Sequence, residues 1–425
     1  MLKNKYLIVS LIVVCAVLVA YAIHWYGQYS ANSRIFESIE SIDHAGTEIQ
    51  VVEKLNFLLD LTRDHQKLAE NWGKLGMNLF IHDFKNESVP CFKKAHNLDE
   101  QDFRWVYFHA VALEELNSEE AIHWLERSKI LNPDYPPLLI KLGNRYLLQG
   151  DYANASATYN LLIDSGVKVP HAHLGIAKIA IENGELNQAI EQLDIAIKMA
   201  PKYREAHALL AEVYRRQGEK IKAEEQFAIM EKLPERLDLK DPVYYEMVEE
   251  GASSFWCQVR GMNYLNSGQL NKAEEEFKKA LLAKPNEVSH TSLGYVYQRQ
   301  KRFENALDHY KTALKINPKF SGALNNMAVI YYELGDIERA VKIVKDALKA
   351  DPKSLDGYLN LGTFYNVMGR KGEAIENFRI GHDNAPDDMR YLYQLGWLLA
   401  VSEEKDLRNG EEALRLAKIV CTYSN

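Results

Sequence analysis

The feature that most constrains this chain is a recurrence of small residues and prolines at one fixed step. Ala155, Ala189 and Ala223 stand 34 apart, and so do Ala306, Ala340 and Ala374. Pro318, Pro352 and Pro386 keep the same step. A fixed period of roughly 20–50 residues signals one supersecondary unit repeated along the chain. Within each period the large apolar residues recur at helical spacing, giving two amphipathic helices per unit. Small residues such as Gly76, Ala110, Gly143, Ala177, Gly294 and Gly362 fall where the first helix must approach the second closely. Between the helices lie turn signals: Gln149-Gly150-Asp151, Asn183-Gly184-Glu185 and Leu334-Gly335-Asp336. Glycine there takes the left-handed conformation that ends a helix. Proline then stops the second helix, because it has no N–H to donate to the preceding turn. One such pair cannot bury its own apolar face, so the units must stack.

Ten units follow, beginning near residues 69, 103, 136, 170, 204, 254, 287, 321, 355 and 389. Unit 2 lacks one turn residue, since the step from Ala110 to Ala121 is one shorter than that from Ala177 to Ala189. The legible fragments include Trp72-x2-Leu75-Gly76, and Leu293-Gly294-x2-Tyr297 followed by Ala306, Tyr310 and Pro318. Leu361-Gly362-x2-Tyr365 followed by Ala374, Phe378 and Pro386 repeats them. This pattern resembles the tetratricopeptide-repeat superfamily. The resemblance implies an all-α, right-handed solenoid of about ten helix pairs.

The chain has 425 residues, 47% hydrophobic and 26% charged, which is not the composition of a disordered chain. Net charge is −8, with no Lys/Arg stripe, so a nucleic-acid partner is not expected. Four cysteines lack CxxC spacing and are too few for a disulfide framework. Cys91, Cys257 and Cys421 are expected to be small buried hydrophobes.

Residues 6–26 carry no charge and are long enough, at about 1.5 Å per residue, to span a bilayer core of about 30 Å. Tyr6, Trp25 and Tyr26 mark the two ends, where aromatic rings prefer the interface. Lys3 and Lys5 precede the run, so residues 1–5 are expected to be a cytoplasmic tail and the repeats to lie outside the cytoplasm, on the periplasmic side. Ala20-Tyr21-Ala22 offers the alternative of a cleaved signal peptide. Residues 27–46 read as a tether. Residues 47–68, with Thr47 as N-cap and Ile49, Val52, Leu55, Leu58 and Leu59 as the apolar stripe, read as a covering helix.

The rhythm breaks twice. The step from Ala223 to Ala273 is 50 in place of 34, so 16 positions are extra. This insert, 235–253, holds Pro242 and Tyr244-Tyr245 and suggests a helix near 243–251. It reads either as a tolerated loop or as a hinge between two lobes, 69–234 and 254–425. In the last unit the step from Gly396 to Ala413 is longer than in the other units, which lengthens the turn between its helices. No polar capping helix is visible after it, so Ile419 and Val420 are expected near an open end that self-associates or meets a partner.

Catalytic motifs are lacking: there is no P-loop, HExxH, GxSxG or GxGxxG before a helix. No cofactor or metal is expected. His171-x-His173 cannot converge on one ion from a helix, because residues i and i+2 face apart. The resemblance implies instead a groove lined by first helices, where polar residues bond the backbone of an extended peptide. The matching positions are Ser292, Asn326, Asn360 and Gln394, each 34 apart, with Tyr295, Thr363 and Trp397 one turn away. Upstream units carry Lys74, Lys141 and Val259 there instead. The expected function is a membrane-tethered scaffold for a protein or peptide partner. An accessory subunit of an envelope secretion, export or cytochrome-assembly enzyme, or the non-catalytic front of a larger enzyme, are the alternatives.

Overall fold

The computed structural model describes residues 17, 19, 27, 30–116, 119–233, 237, 239–386 and 388–423. The described residues are helical, with no strand among them. They fall into two compact units, residues 1–252 and 253–425.

In the first unit, residues 30–40 are helical (α1), followed by α2 (Ile49–Asp64). Five helix pairs come next. Their first helices are α3 (Ala69–Ile81), α5 (Phe103–Glu115), α7 (Pro136–Leu148), α9 (Pro170–Glu182) and α11 (Arg204–Arg216). Their second helices are α4 (Lys85–Leu98), α6 (Glu120–Leu131), α8 (Tyr152–Asp164), α10 (Leu186–Met199) and α12 (Lys220–Glu231). A short helix, α13 (Pro242–Glu250), closes this unit. The second unit holds α14 (Ser254–Asn266) and α15 (Leu270–Ala283), then α16 (Glu287–Arg299) and α17 (Phe303–Ile316). It continues with α18 (Ser321–Glu333) and α19 (Ile337–Ala350), α20 (Leu355–Val367) and α21 (Lys371–Asn384), and α22 (Met389–Val401) and α23 (Gly410–Tyr423). Every first helix starts at the residue where the repeat rhythm places it.

Local chemistry explains the boundaries. Pro136, Pro170 and Pro242 open their helices, where a missing N–H costs nothing. Asp151 and Ser354 cap α8 and α20 with side-chain oxygens. Where the small residue of the first helix is glycine, it faces a large side chain of the second: Gly76 faces Phe92, Gly261 faces Phe277 and Gly294 faces Tyr310. A Cβ added at Gly143 would lie 2.5 Å from the Tyr159 ring, and one at Gly362 2.5 Å from Phe378. Both rings are fully buried.

Four expectations need correction. The 27–46 stretch is not a free tether from residue 30 on: Phe36 stacks on Trp72 at 5.2 Å, and Phe36 and Ile39 join the core beside Val51 and Leu55. Their i, i+3 spacing makes an apolar stripe, and burial of that stripe outweighs chain freedom. The covering helix is capped at Glu48 without a side-chain bond, not at Thr47, and Ile49 is exposed. Cys421 is exposed, whereas Cys91 and Cys257 are buried. Finally, the insert is not a solvated loop: Asp241, Met247 and Val248 are buried, Met247 within the core of the first unit. The apolar run 6–26 lies outside the described residues, apart from positions 17 and 19. Among the described residues no helix is long and apolar enough to cross a membrane.

One core position departs from the repeat. Where Leu293, Leu361 and Leu395 are buried, the corresponding residue of α14 is Arg260. Its guanidinium lies 2.6 Å from Glu276, which also holds Lys279 at 2.6 Å. The side chains of Arg260 and Glu276 are 7% and 8% exposed, so the pair replaces apolar packing with charge.

Candidate peptide-binding groove

Helices α16, α18, α20 and α22 present equivalent residues at the repeat step. A first cleft, about 370 Å³, is lined by Tyr295, Gln298 and Arg299 of α16, Asn325, Asn326 and Val329 of α18, and Leu359 and Asn360 of α20, with Arg390 at its rim. A second, about 430 Å³, is lined by Leu359, Asn360 and Thr363 of α20 and by Met389, Arg390, Tyr393 and Gln394 of α22. Asn360 lines both, so the two form one track. The structure therefore brings together Tyr295, Asn326, Asn360, Thr363 and Gln394. Ser292 is half-buried on α16 and lines neither cleft, and the 57% exposed Trp397 lines neither as well.

The polar groups of the track differ in how fully they are engaged. Thr363 turns its hydroxyl back to the Leu359 carbonyl at 2.8 Å, leaving its oxygen lone pairs free to accept. Gln298 accepts from the Tyr310 hydroxyl at 2.8 Å, and burial pushes that phenol well up, so it remains a donor. Asn325 donates to Ser354 at 3.1 Å, yet its Oδ1 is buried with no hydrogen-bond partner. A buried acceptor left in that state carries a desolvation cost of about 1–3 kcal/mol.

Charges in the track are mixed. Lys301 is held by Glu333 at 2.8 Å and Arg390 by Asp356 at 2.8 Å. The Arg299 guanidinium lies 5.9 Å over the Tyr295 ring. Amides, phenols and paired charges suit a peptide backbone better than a dense block of one charge. Sequence reasoning missed Asn325, because it lies beside the ladder position and only its packing shows the unpaired oxygen. It also missed Arg299 and Arg390, whose positions on one rim depend on neighbouring units.

His171 and His173 do diverge. His171 Nε2 bonds the Leu237 carbonyl at 3.3 Å, while His173 Nδ1 meets Gln192 at 2.8 Å. Among the described residues no cluster of three or more His, Cys, Asp or Glu could hold a metal ion.

Antiparallel helix pairs, small-on-aromatic packing and a polar track on the first helices define the class: an all-α helical-repeat protein. Residues 174–233, 259–319 and 297–361 each match a family described as tetratricopeptide repeat. Among its relatives is the photosystem I assembly protein Ycf3 of Synechococcus elongatus, 35% identical over 18% of this chain and 46% of that protein. Another is the TPR repeat-containing protein MJ1428 of Methanocaldococcus jannaschii, 26% identical over 54% of this chain and 39% of that protein. The chain thus spans less than half the length of these curated relatives. Among solved structures it is similar to YrrB, described as a TPR protein with an unusual peptide-binding site, at 19% identity and a TM-score of 0.26, covering 55% of this chain and 96% of that one.

Proposed function

We propose that this chain is a non-catalytic scaffold that binds an extended peptide or protein segment along α16, α18, α20 and α22. The observation that carries the reading is the pair of open clefts that share Asn360 and are lined at the repeat step by Asn326, Asn360 and Gln394. The ladder amides would donate to and accept from successive peptide groups of the bound segment. Tyr295 and Tyr393 flank the backbone. Binding then needs no cofactor and leaves a partner's side chains to set specificity.

The test uses the immobilised full chain and its Asn326→Ala/Asn360→Ala variant against a displayed peptide library. Peptides retained by the first and released by the second support the reading. Equal retention removes the site from this track.

Membrane attachment through residues 6–26 belongs to the same proposal, with the repeats on the far side of the membrane from Lys3 and Lys5. The support is the uncharged, bilayer-length run and its flanking aromatic residues. Retention of the full chain in the membrane pellet after alkaline carbonate, with loss on deleting 6–26, is the expected result. Extraction of both into the supernatant would refute it.

A further inference from the structure

The extra residues do not hang between repeats. From Leu237 to Ala252 they run back along the first helices of their own unit. The Leu237 carbonyl accepts from His171 at the start of α9, and its side chain packs with the α9–α11 core. Leu239 packs with the α7–α9 core. Asp241 reaches α5 and the residue before α7: Tyr107 donates to one carboxylate oxygen at 2.5 Å and Tyr135 to the other at 2.6 Å. Tyr244 of α13 meets Phe80 of α3 edge-on at 6.4 Å, and Met247 is fully buried in that core. Glu246 pairs with Arg104 of α5 at 3.2 Å, and Glu250 with Lys54 of α2 at 3.2 Å. The Ala252 N–H ends the path on the His82 imidazole at 3.2 Å.

The contacts have the form of a receptor and its ligand. Asp241 is 8% exposed, and its carboxylate is held by two phenols and by the Tyr244 N–H at 2.9 Å, so it caps α13 and anchors it at once. The phenols pack in an aromatic cluster with Phe103, with ring centroids 5.2–5.5 Å apart. Burial, reinforced by the Asp241 carboxylate, pushes both phenols up, so they stay donors at any ordinary pH. Arg104 of the face and Lys54 of the neighbouring α2 meet acidic residues of the strap.

We propose that the first-helix face of residues 69–216 is a second ligand site, closed by the chain's own segment 237–252 and opened when a partner segment of the same chemistry displaces it. That chemistry is a leucine pair, then an aspartate capping a short acidic helix with a buried apolar face. The proposal is independent of the α16–α22 track. A tethered segment competes at an effective concentration of order millimolar, so a free ligand sees a weakened site until the strap is loosened.

The experiment adds a fluorescein-labelled peptide of sequence 237–252 to the full chain, to an Asp241→Ala/Met247→Ser variant, and to that variant carrying Tyr107→Phe/Tyr135→Phe as well. The loosened variant should bind at least ~10-fold more tightly than the parent, and the phenol substitutions should remove most of that gain. A folded, loosened variant that binds no better than the parent overturns the proposal. Hydrogen exchange of the unaltered chain gives a second reading that does not depend on the variants. Amides of α13 exchanging well before those of α3 and α5 support a displaceable strap, and exchange only together with them overturns it.

Discussion

The two units solve the same problem and end in different states. Both stack helix pairs, and both present a face built from their first helices. In residues 69–252 that face is covered: Asp241 sits between Tyr107 and Tyr135, and Met247 fills the apolar gap beside α3. In residues 254–423 the equivalent face carries open clefts and an unpaired Asn325 oxygen. The contrast teaches that a repeat face does not by itself imply an available site. Availability is decided by non-repeating residues, here an insert that departs from the period.

The cores that support the two faces can be perturbed one at a time. Replacing Arg260 by Ala leaves Glu276 paired with Lys279 alone and opens a gap in the core, and should destabilise the second unit by about 3 kcal/mol, read by denaturant unfolding. A joint Arg260→Leu/Glu276→Leu change should be near neutral or stabilising. In the first unit, Met247→Ala should cost about 2–5 kcal/mol, with faster exchange across α13 and α3 and none in α16–α22.

Acid should act on the same strap. His82 and His109 are lowered to about 4, mainly by burial, against an unfolded value of 6.5. The folded unit thus favours neutral imidazoles, so their contribution is intact above about pH 6.5 and is lost as pH falls toward 4. His82 must be unprotonated at Nε2 to accept from Ala252, so exchange at the strap's C-terminal end should rise over that window. In the second unit, Asn326→Ala/Asn360→Ala should weaken a bound peptide about 10-fold, or about 1.4 kcal/mol, with the helical content retained by circular dichroism. The smallest effect concerns Lys301, which holds φ 62° where neighbouring turns use Gly335 and Gly369. Lys301→Gly should stabilise by up to about 1 kcal/mol, read as a small rise in Tm.

Most of the fold was legible because its determinants are local. The period placed the start of each first helix, and the glycine turns and prolines marked their ends. The fixed step also keeps Ser292, Asn326, Asn360 and Gln394 in register on successive first helices, yet Ser292 lines neither cleft. What escaped was non-local. The sequence suggests a helix near 243–251 after Pro242, but its docking depends on Asp241 meeting Tyr107, 134 residues earlier. Likewise Phe36 and Ile39 show helical spacing, yet only contact with Trp72 and its neighbours makes them core. Asn325 carries no signal in the repeat rhythm, and only the packing separates its donating Nδ2 from its unpaired Oδ1.

The strap also changes how the first unit would respond to force. Helix pairs in a stack hold only their neighbours, so a pulled array can peel one pair at a time. The crosspiece from Leu237 to Ala252 touches α2, α3, α5 and α9, and so couples elements that are not adjacent in the stack. Tension would be shared across that clasp until Asp241 lets go, and the first unit would then yield in a single large step. The second unit, lacking such a clasp among its described residues, would lengthen in small ones.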